Sequence, residues 1–240
     1  MSRLSSPPLV LLAAHGERGG DGRNQGLAEL QVELQSIRRA VEVQTVIVSD
    51  KDALDAVFAA NAARRGVVVP ILFSDGFFYS ARLSEAVAAM DAAPDAGFQL
   101  LPPFGMWPEL AVLVADELTS RAFNRGVDVL VIAHGSTRST YSADAARAFA
   151  IALEAEIGGA VRCAFLEESP KPVDMYREHG APDVAIGLFF GAGLHGRDDF
   201  AEAIAASPNP PATAFTIGEM GGLAEMIAAR VDVWLTDVPV

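Results

Sequence analysis

The feature that most constrains the fold of this chain is a strand-like segment that ends in Ala-His-Gly and occurs twice. Residues 8–14 are apolar and lead directly into His15, and residues 128–133, apolar after the first position, lead in the same way into His134. A continuous apolar run of this length is typical of a strand buried on both faces of a parallel sheet. Ligands of open α/β sheets bind beyond the carboxyl ends of the strands, where both histidines are expected.

The predicted strands and helices of the first half recur in the same order in the second half. The first half gives strands at 8–14, 42–48, 66–73 and 98–102, and helices at 24–40, 51–64, 81–91 and 108–123. The second half gives strands at 128–133, 160–166, 183–190 and 212–217, and helices at 142–157, 171–179, 197–206 and 221–235. Strands that alternate with helices indicate parallel sheets with right-handed crossovers.

The spacing of the two halves indicates duplication and fusion of one domain. His134 lies 119 residues after His15, and later landmarks keep nearly the same spacing. We therefore predict an α/β protein of two similar domains, residues 1–124 and 125–240, each a four-stranded parallel sheet flanked by helices. A pseudo-twofold axis would relate the domains, with a cleft between them. We expect a monomer that is an internal pseudo-dimer.

Two local signals refine this prediction at the second helix of the first half. Asp50 is a plausible N-cap for that helix, and Gly66 is a plausible residue to end it.

Composition excludes several classes of function. The net charge of −13 argues against a general nucleic-acid binder, which would carry a basic stripe. No apolar run approaches the roughly 20 residues that a membrane helix needs, so we expect no membrane partner. The single cysteine, Cys163, cannot form an internal disulfide and fits a reducing compartment. The first residues lack the apolar core of a secretion signal, so we expect a cytoplasmic protein.

The differences between the halves point to the functional site. The second half places His134, Glu167 and His195 after three successive strands. The first half keeps only His15 of these, because Phe78 stands at the position of the second histidine and a serine at that of the carboxylate. We therefore predict the main site in the second domain and a degenerate site in the first.

Three motifs of the second half resemble a known family. They are Ala-His-Gly-Ser after the first strand, Phe-Leu-Glu followed shortly by proline after the second, and Gly-Leu-His followed by two acidic residues after the third. They resemble the sirohydrochlorin chelatases, the class II chelatases of the cobaltochelatase and ferrochelatase type in cobalamin and sirohaem synthesis. The resemblance is close in the second half and looser in the first. The long form of that family is two fused copies of a short one, in agreement with the repeat.

This resemblance implies that the protein is an enzyme that inserts Co²⁺ or Fe²⁺ into a carboxylate-rich tetrapyrrole in the cleft. The metal would be a substrate, and no permanently bound cofactor is expected. By the motif match, His134 and His195 would be the catalytic, metal-handling pair, with Glu167 as their helper. The Phe-Leu-Glu motif is one residue out of register before Pro170, so Glu168 is the alternative helper.

The chemistry of these residue types fits that reaction independently. Imidazole is a good ligand for Co²⁺ or Fe²⁺ and titrates near pH about 6.5, so two histidines could hold a metal and accept a proton. A carboxylate can orient an imidazole N–H.

The acidic substrate would need hydrogen-bond donors and a surface for its flat ring. The candidate substrate-binding residues are Ser136, Thr137, Arg138, Gly193, Leu194, Arg197 and His15, with Lys171 as a further donor. The run Phe77-Phe78-Tyr79 is either plain core or an aromatic wall for the macrocycle.

Other interpretations of the same residues remain open. A strand-end histidine can be an ordinary hydrogen-bonded residue, and Glu167 can be a solvated strand end. His15 is either a relic that packs in the cleft or a second proton acceptor. The alternative function is a non-catalytic tetrapyrrole or metal carrier on the same fold.

Overall fold

The computed structural model describes residues 6–16, 24–90, 97–190, 198–207 and 209–236. Its strands are β1 (Leu9–Ala14), β2 (Glu42–Ile47), β3 (Arg65–Ile71), β4 (Gly97–Leu100), β5 (Val129–Ala133), β6 (Val161–Phe165), β7 (Val184–Gly187) and β8 (Thr213–Thr216). Its α-helices are α1 (Gln25–Ile37), α2 (Lys51–Ala60), α3 (Ser84–Ala88), α4 (Pro108–Ser120), α5 (Tyr141–Ile157), α6 (Pro172–His179), α7 (Asp199–Ala205) and α8 (Leu223–Thr236). A π-helical turn, Tyr79–Leu83, precedes α3.

The strands form two four-stranded sheets, in the orders β2-β1-β3-β4 and β6-β5-β7-β8. Every strand pair is parallel, and the two orders are the same once the second half is renumbered. The predicted fold class, two four-stranded parallel sheets flanked by helices, is confirmed. The two strands that lead into His15 and His134 lie inside their sheets, and every residue of both strands is buried. The predicted boundary after Asn124 falls in the connection between α4 and β5 and remains a prediction.

Most helices form where the apolar spacing predicted them. On α1 the leucines at 27, 30 and 34 are buried, because a spacing of three and four residues puts them on one face of a helix. On α2 the predicted N-cap is confirmed, since the Asp50 carboxylate accepts the backbone N–H of Ala53 at 3.0 Å.

The prediction that Gly66 ends α2 is wrong. The helix ends at Ala60, and Gly66 lies within β3, where it pairs with Leu9 on one side and Phe98 on the other. A Cβ at this position would lie 2.4 Å from the Phe98 ring. The glycine is therefore required by the close approach of an aromatic side chain from the neighbouring strand.

The two halves pack through their first and last helices, α1 against α8 and α4 against α5. One cluster of buried side chains runs through both halves without a break. Within it Phe104, which is fully buried, contacts the Phe190 ring of the second half at a centroid distance of 6.2 Å. The bidentate ion pair of Arg38 and Asp232 also joins the halves, at 2.5 and 2.7 Å. These contacts fix the two sheets relative to each other.

None of the helices that the structure describes is long and apolar enough to cross a membrane.

Candidate functional site

The site is formed where the first strand of each half, β1 and β5, ends. His15 directly follows β1 and His134 directly follows β5, and both residues are exposed at these carboxyl ends. After His134 the chain turns sharply, because Gly135 has φ of +72°. A Cβ on Gly135 would lie 2.8 Å from the Cβ of Phe165, so the turn also requires a residue without a side chain.

The ring of His134 is held by its own loop. Its Nδ1 atom lies 3.1 Å from the carbonyl oxygen of Gly135. A carbonyl oxygen only accepts, so this contact requires a proton on Nδ1. In the neutral ring the Nε2 atom then keeps a free lone pair. The arrangement leaves Nε2 available to a metal or a proton, as in metal sites where a carbonyl fixes the tautomer of a histidine ligand.

The two adjacent carboxylates after β6 have different positions. The backbone N–H of Glu167 donates to the carbonyl oxygen of His134 at 2.8 Å, while its side chain is exposed. The Oε1 atom of Glu168 accepts the backbone N–H of Ser136 at 2.8 Å, and this side chain is half-buried. Of the two carboxylates, Glu168 therefore supports the loop that carries His134, and Glu167 faces solvent beside it.

The remaining polar candidates of the second half follow the same loop. The hydroxyl oxygen of Ser136 accepts the backbone N–H of Arg138 at 3.1 Å and so shapes the turn. Thr137 and Arg138 are exposed. Lys171 donates from Nζ to the carbonyl oxygen of Leu166 at 2.5 Å, so its ammonium group is already bonded to the backbone.

His15 shares this edge with His134 although the two belong to different halves. The pKa of His15 is lowered, chiefly because burial disfavours the imidazolium and further because the charge of His134 repels a second positive charge. His15 is nevertheless exposed at the surface, as His134 is, and the solvent-facing space beside the two residues is the opening of the candidate site. A lowered pKa keeps His15 neutral near pH about 7, as a ligand or proton acceptor must be.

Aromatic side chains border the same opening. The Phe78 ring meets the His15 ring edge-on at a centroid distance of 4.1 Å, and Phe77 meets Phe78 at 5.4 Å. Phe77 is 59% exposed and Tyr141, at the start of α5, is 53% exposed. The segments that carry Phe77 and Tyr141 lie close together, since a Cβ built on Gly76 would lie 3.9 Å from the Cβ of Tyr141.

The run Phe77-Phe78-Tyr79 was expected to be either core or an exposed aromatic surface, and the structure has residues of both kinds. Tyr79 and Phe78 pack against the core beside the first sheet, whereas Phe77 is an exposed aromatic surface. Tyr141 was not predicted from sequence, because a tyrosine at a helix start carries no signal of what faces it.

Four predicted site residues, Gly193, Leu194, His195 and Arg197, lie outside the described residues. Within the described ranges, no three histidine, cysteine or acidic side chains come together in a way that could hold a metal ion. The part of the site that the structure describes supplies two imidazoles, Glu168 behind one of them, and an aromatic surface.

Comparison with known proteins points to one family. The model of the CbiX family matches residues 9–121, slightly less than half of the chain. This segment is therefore similar to the CbiX family. The match lies on the first half, where the motif resemblance was looser, and the structural likeness extends over the whole chain. No curated protein matches this sequence.

Solved structures support the same assignment. CbiX, described as the terminal enzyme of siroheme biosynthesis in denitrifying bacteria, is 27% identical, with a TM-score of 0.74 over 93% of this chain and 98% of that one. SirB from Bacillus subtilis with Fe³⁺ is 16% identical, with a TM-score of 0.70 over 94% of both chains. A multi-domain protein from Deinococcus radiodurans with structural similarity to chelatases is 17% identical, with a TM-score of 0.65 over 94% of this chain and 54% of that one. The predicted resemblance to the CbiX chelatases is confirmed, and SirB shares the fold. The resemblance to CbiX indicates an enzyme of metal insertion into a tetrapyrrole.

Proposed function

We propose that this protein inserts a divalent metal, Co²⁺ or Fe²⁺, into sirohydrochlorin or a close carboxylate-rich relative. The observation that carries the proposal is that His15 and His134 end the first strands of opposite halves and are both exposed there, near enough for His134 to contribute to the lowered pKa of His15. The exposed aromatic surface beside them suits one face of a flat macrocycle. The relationship to the CbiX family supports the same chemistry.

The reaction replaces two pyrrole N–H protons of the ring by one metal ion, so it needs a site that delivers the metal and removes protons. In the proposal, Nε2 of His134 binds the incoming metal together with His195. Because only imidazoles and water hold it, the metal can leave for the four ring nitrogens. A site closed by four protein ligands would retain it.

We assign proton removal to the neutral imidazoles and the nearby carboxylates. His15 has a lowered pKa and is therefore unprotonated near neutral pH, so it can accept a pyrrole proton. Glu168 holds the His134 loop through the Ser136 N–H, and the exposed Glu167 is free to pass protons to solvent. The candidate donors for the substrate carboxylates are Ser136, Thr137, Arg138, Gly193, Leu194 and Arg197.

The test is anaerobic metallation of sirohydrochlorin, followed by its visible absorbance, with Co²⁺ and Fe²⁺ in separate reactions. The protein should accelerate insertion over the spontaneous rate. His134→Ala should reduce that acceleration by about 100-fold or more, because a metal ligand and proton acceptor is lost.

The matched control is His179→Ala. His179 ends α6, from which the chain returns to start β7, so it lies at the opposite edge of the second sheet and its loss should leave turnover unchanged. Tight binding of sirohydrochlorin without acceleration would contradict the proposal and favour a carrier. Equal turnover of His134→Ala and the unsubstituted protein would contradict the role of His134.

A further inference from the structure

Arg82 extends the aromatic surface of the site. It lies in the π-helical turn that precedes α3, and its guanidinium carbon is 5.5 Å from the centroid of the Phe77 ring. Phe77 in turn meets Phe78 at 5.4 Å, and Phe78 meets His15 at 4.1 Å. An unbroken series of ring contacts therefore connects the guanidinium to the histidine at the opening.

The guanidinium of Arg82 lacks the hydrogen-bond and ion-pair partners that most of the other described arginines have. It is half-buried, and no hydrogen bond or ion pair to it exists within the described ranges of the chain. Its Nε atom is buried without an acceptor. The Nε atoms of Arg64 and Arg230 also have no hydrogen-bond acceptor, but the terminal nitrogens of these two arginines pair with carboxylates at 2.8 and 2.7 Å.

An unpaired, half-buried guanidinium is unusual in this protein for an electrostatic reason. The chain carries 31 acidic residues against 18 lysines and arginines, so carboxylate partners are abundant. Withdrawing the Nε–H of a charged guanidinium from water without an acceptor is unfavourable, and the contact with the Phe77 ring offsets part of that cost. A carboxylate from outside the chain would complete the hydrogen bonding of this side chain.

The position of Arg82 fits a particular part of the proposed substrate. A macrocycle with one face on Phe77 and its central nitrogens toward the histidines has its acidic substituents at the rim. Arg82 lies at the far end of the aromatic series from His15 and thus near that rim. A guanidinium binds a carboxylate through two parallel hydrogen bonds, which fixes orientation as well as charge.

We propose that Arg82 binds a peripheral carboxylate of the tetrapyrrole and, with Phe77, sets the orientation of the ring over the histidines. This rests on the proposed function. The residue comes from the first half of the chain, so both halves contribute to substrate recognition.

The test is the dissociation constant of metal-free sirohydrochlorin, measured anaerobically by equilibrium dialysis, for Arg82→Lys, Arg82→Gln and Arg82→Glu. Affinity should fall in that order. Arg82→Gln should bind about tenfold more weakly than the unsubstituted protein, which corresponds to about 1.4 kcal/mol. Arg39→Gln is the matched control. Arg39 is exposed between α1 and β2, at the opposite edge of the first sheet, and its loss should leave affinity unchanged.

The graded order separates charge recognition from packing. Equal affinities of the lysine, glutamine and glutamate variants would mean that Arg82 acts only by packing on Phe77, and would overturn the proposal. Unchanged affinity of Arg82→Gln would also overturn it. If the unsubstituted protein binds sirohydrochlorin but does not metallate it, the proposed function fails while the affinity order still decides the role of Arg82. If it binds none, both fail. Far-UV circular dichroism of each variant confirms its fold.

Discussion

Gly135 immediately follows His134 and has φ of +72°, a backbone conformation that residues with a Cβ rarely adopt. The path of the chain after His134 therefore depends on this glycine. The space at this position is also occupied. A Cβ would meet the Phe165 Cβ at 2.8 Å and an oxygen of Glu168 at 3.0 Å. Glu168 is the residue that accepts the Ser136 N–H, so a side chain at 135 would disturb the histidine and its support together.

We therefore expect Gly135→Ala to lower the free energy of unfolding by roughly 1–3 kcal/mol and to reduce metallation as well. Chemical denaturation and the turnover assay measure the two effects. Gly126→Ala is the control, because Gly126 also has a positive φ, +87°, but a Cβ there would meet no atom within 4 Å. If both variants retained full turnover, the turn after His134 would not be needed for the site.

How much of the site could be predicted differs from residue to residue. Strand position was sufficient to predict that His134 lies at the carboxyl end of its sheet, where ligands of parallel sheets bind, whereas its role stays a prediction. They could not decide between Glu167 and Glu168, since neighbouring residues after a strand point different ways and only the fold shows which one meets Ser136. Arg82 was not predicted, because its significance is that it has no partner among the described residues, which depends on every segment around it.

At the scale of single elements, α6 carries a buried group whose ionisation opposes folding. Tyr176 is buried, and its hydroxyl has no hydrogen-bond partner within the described ranges. Burial raises the pKa of Tyr176 from 10.0 to about 12. Above pH about 10 the unfolded chain releases this proton while the folded chain retains it, so the folded state loses stability as pH rises toward about 12.

Tyr176→Phe should therefore stabilise the protein by about 1 kcal/mol at neutral pH, because an unsatisfied hydroxyl is removed. Its advantage should grow as the pH rises above about 10, where the native tyrosine is penalised. Denaturant unfolding at a series of pH values measures both effects. Tyr141→Phe, at an exposed position, should show neither. A constant difference between Tyr176→Phe and the unsubstituted protein across the alkaline range would contradict the cause given for the raised pKa.

Most elements could be predicted because buried parallel strands are continuous apolar runs and the helices between them have a regular apolar spacing. Two details could not. A helix was expected over residues 81–91, whereas the chain forms a π-helical turn at Tyr79–Leu83 and then α3. Gly66 was interpreted as the end of a helix, because local sequence does not show that Phe98 from the neighbouring strand fills the space beside it.

At the scale of the whole molecule, the continuous core predicts that the two halves unfold together. Phe104 is fully buried and contacts Phe73 at 5.4 Å in its own half and Phe190 at 6.2 Å in the other. Phe104→Ala should lower the free energy of unfolding by about 3–5 kcal/mol. Tryptophan fluorescence and far-UV circular dichroism should report one shared, shifted transition, since Trp107 and Trp234 lie in different halves. Two separate transitions would show that the halves are independent.

The end of each innermost strand supplies one histidine to a shared opening, and this arrangement bears on how such a protein can change. In a self-associating chain of half this length, twofold symmetry forces every substitution to appear on both sides of the opening at once. In a single continuous polypeptide the two sides can differ, and the predicted alignment of the halves sets Phe78 of one side against His195 of the other. Under the proposed function, joining the copies would free one side to hold the macrocycle and the other to carry the metal ion.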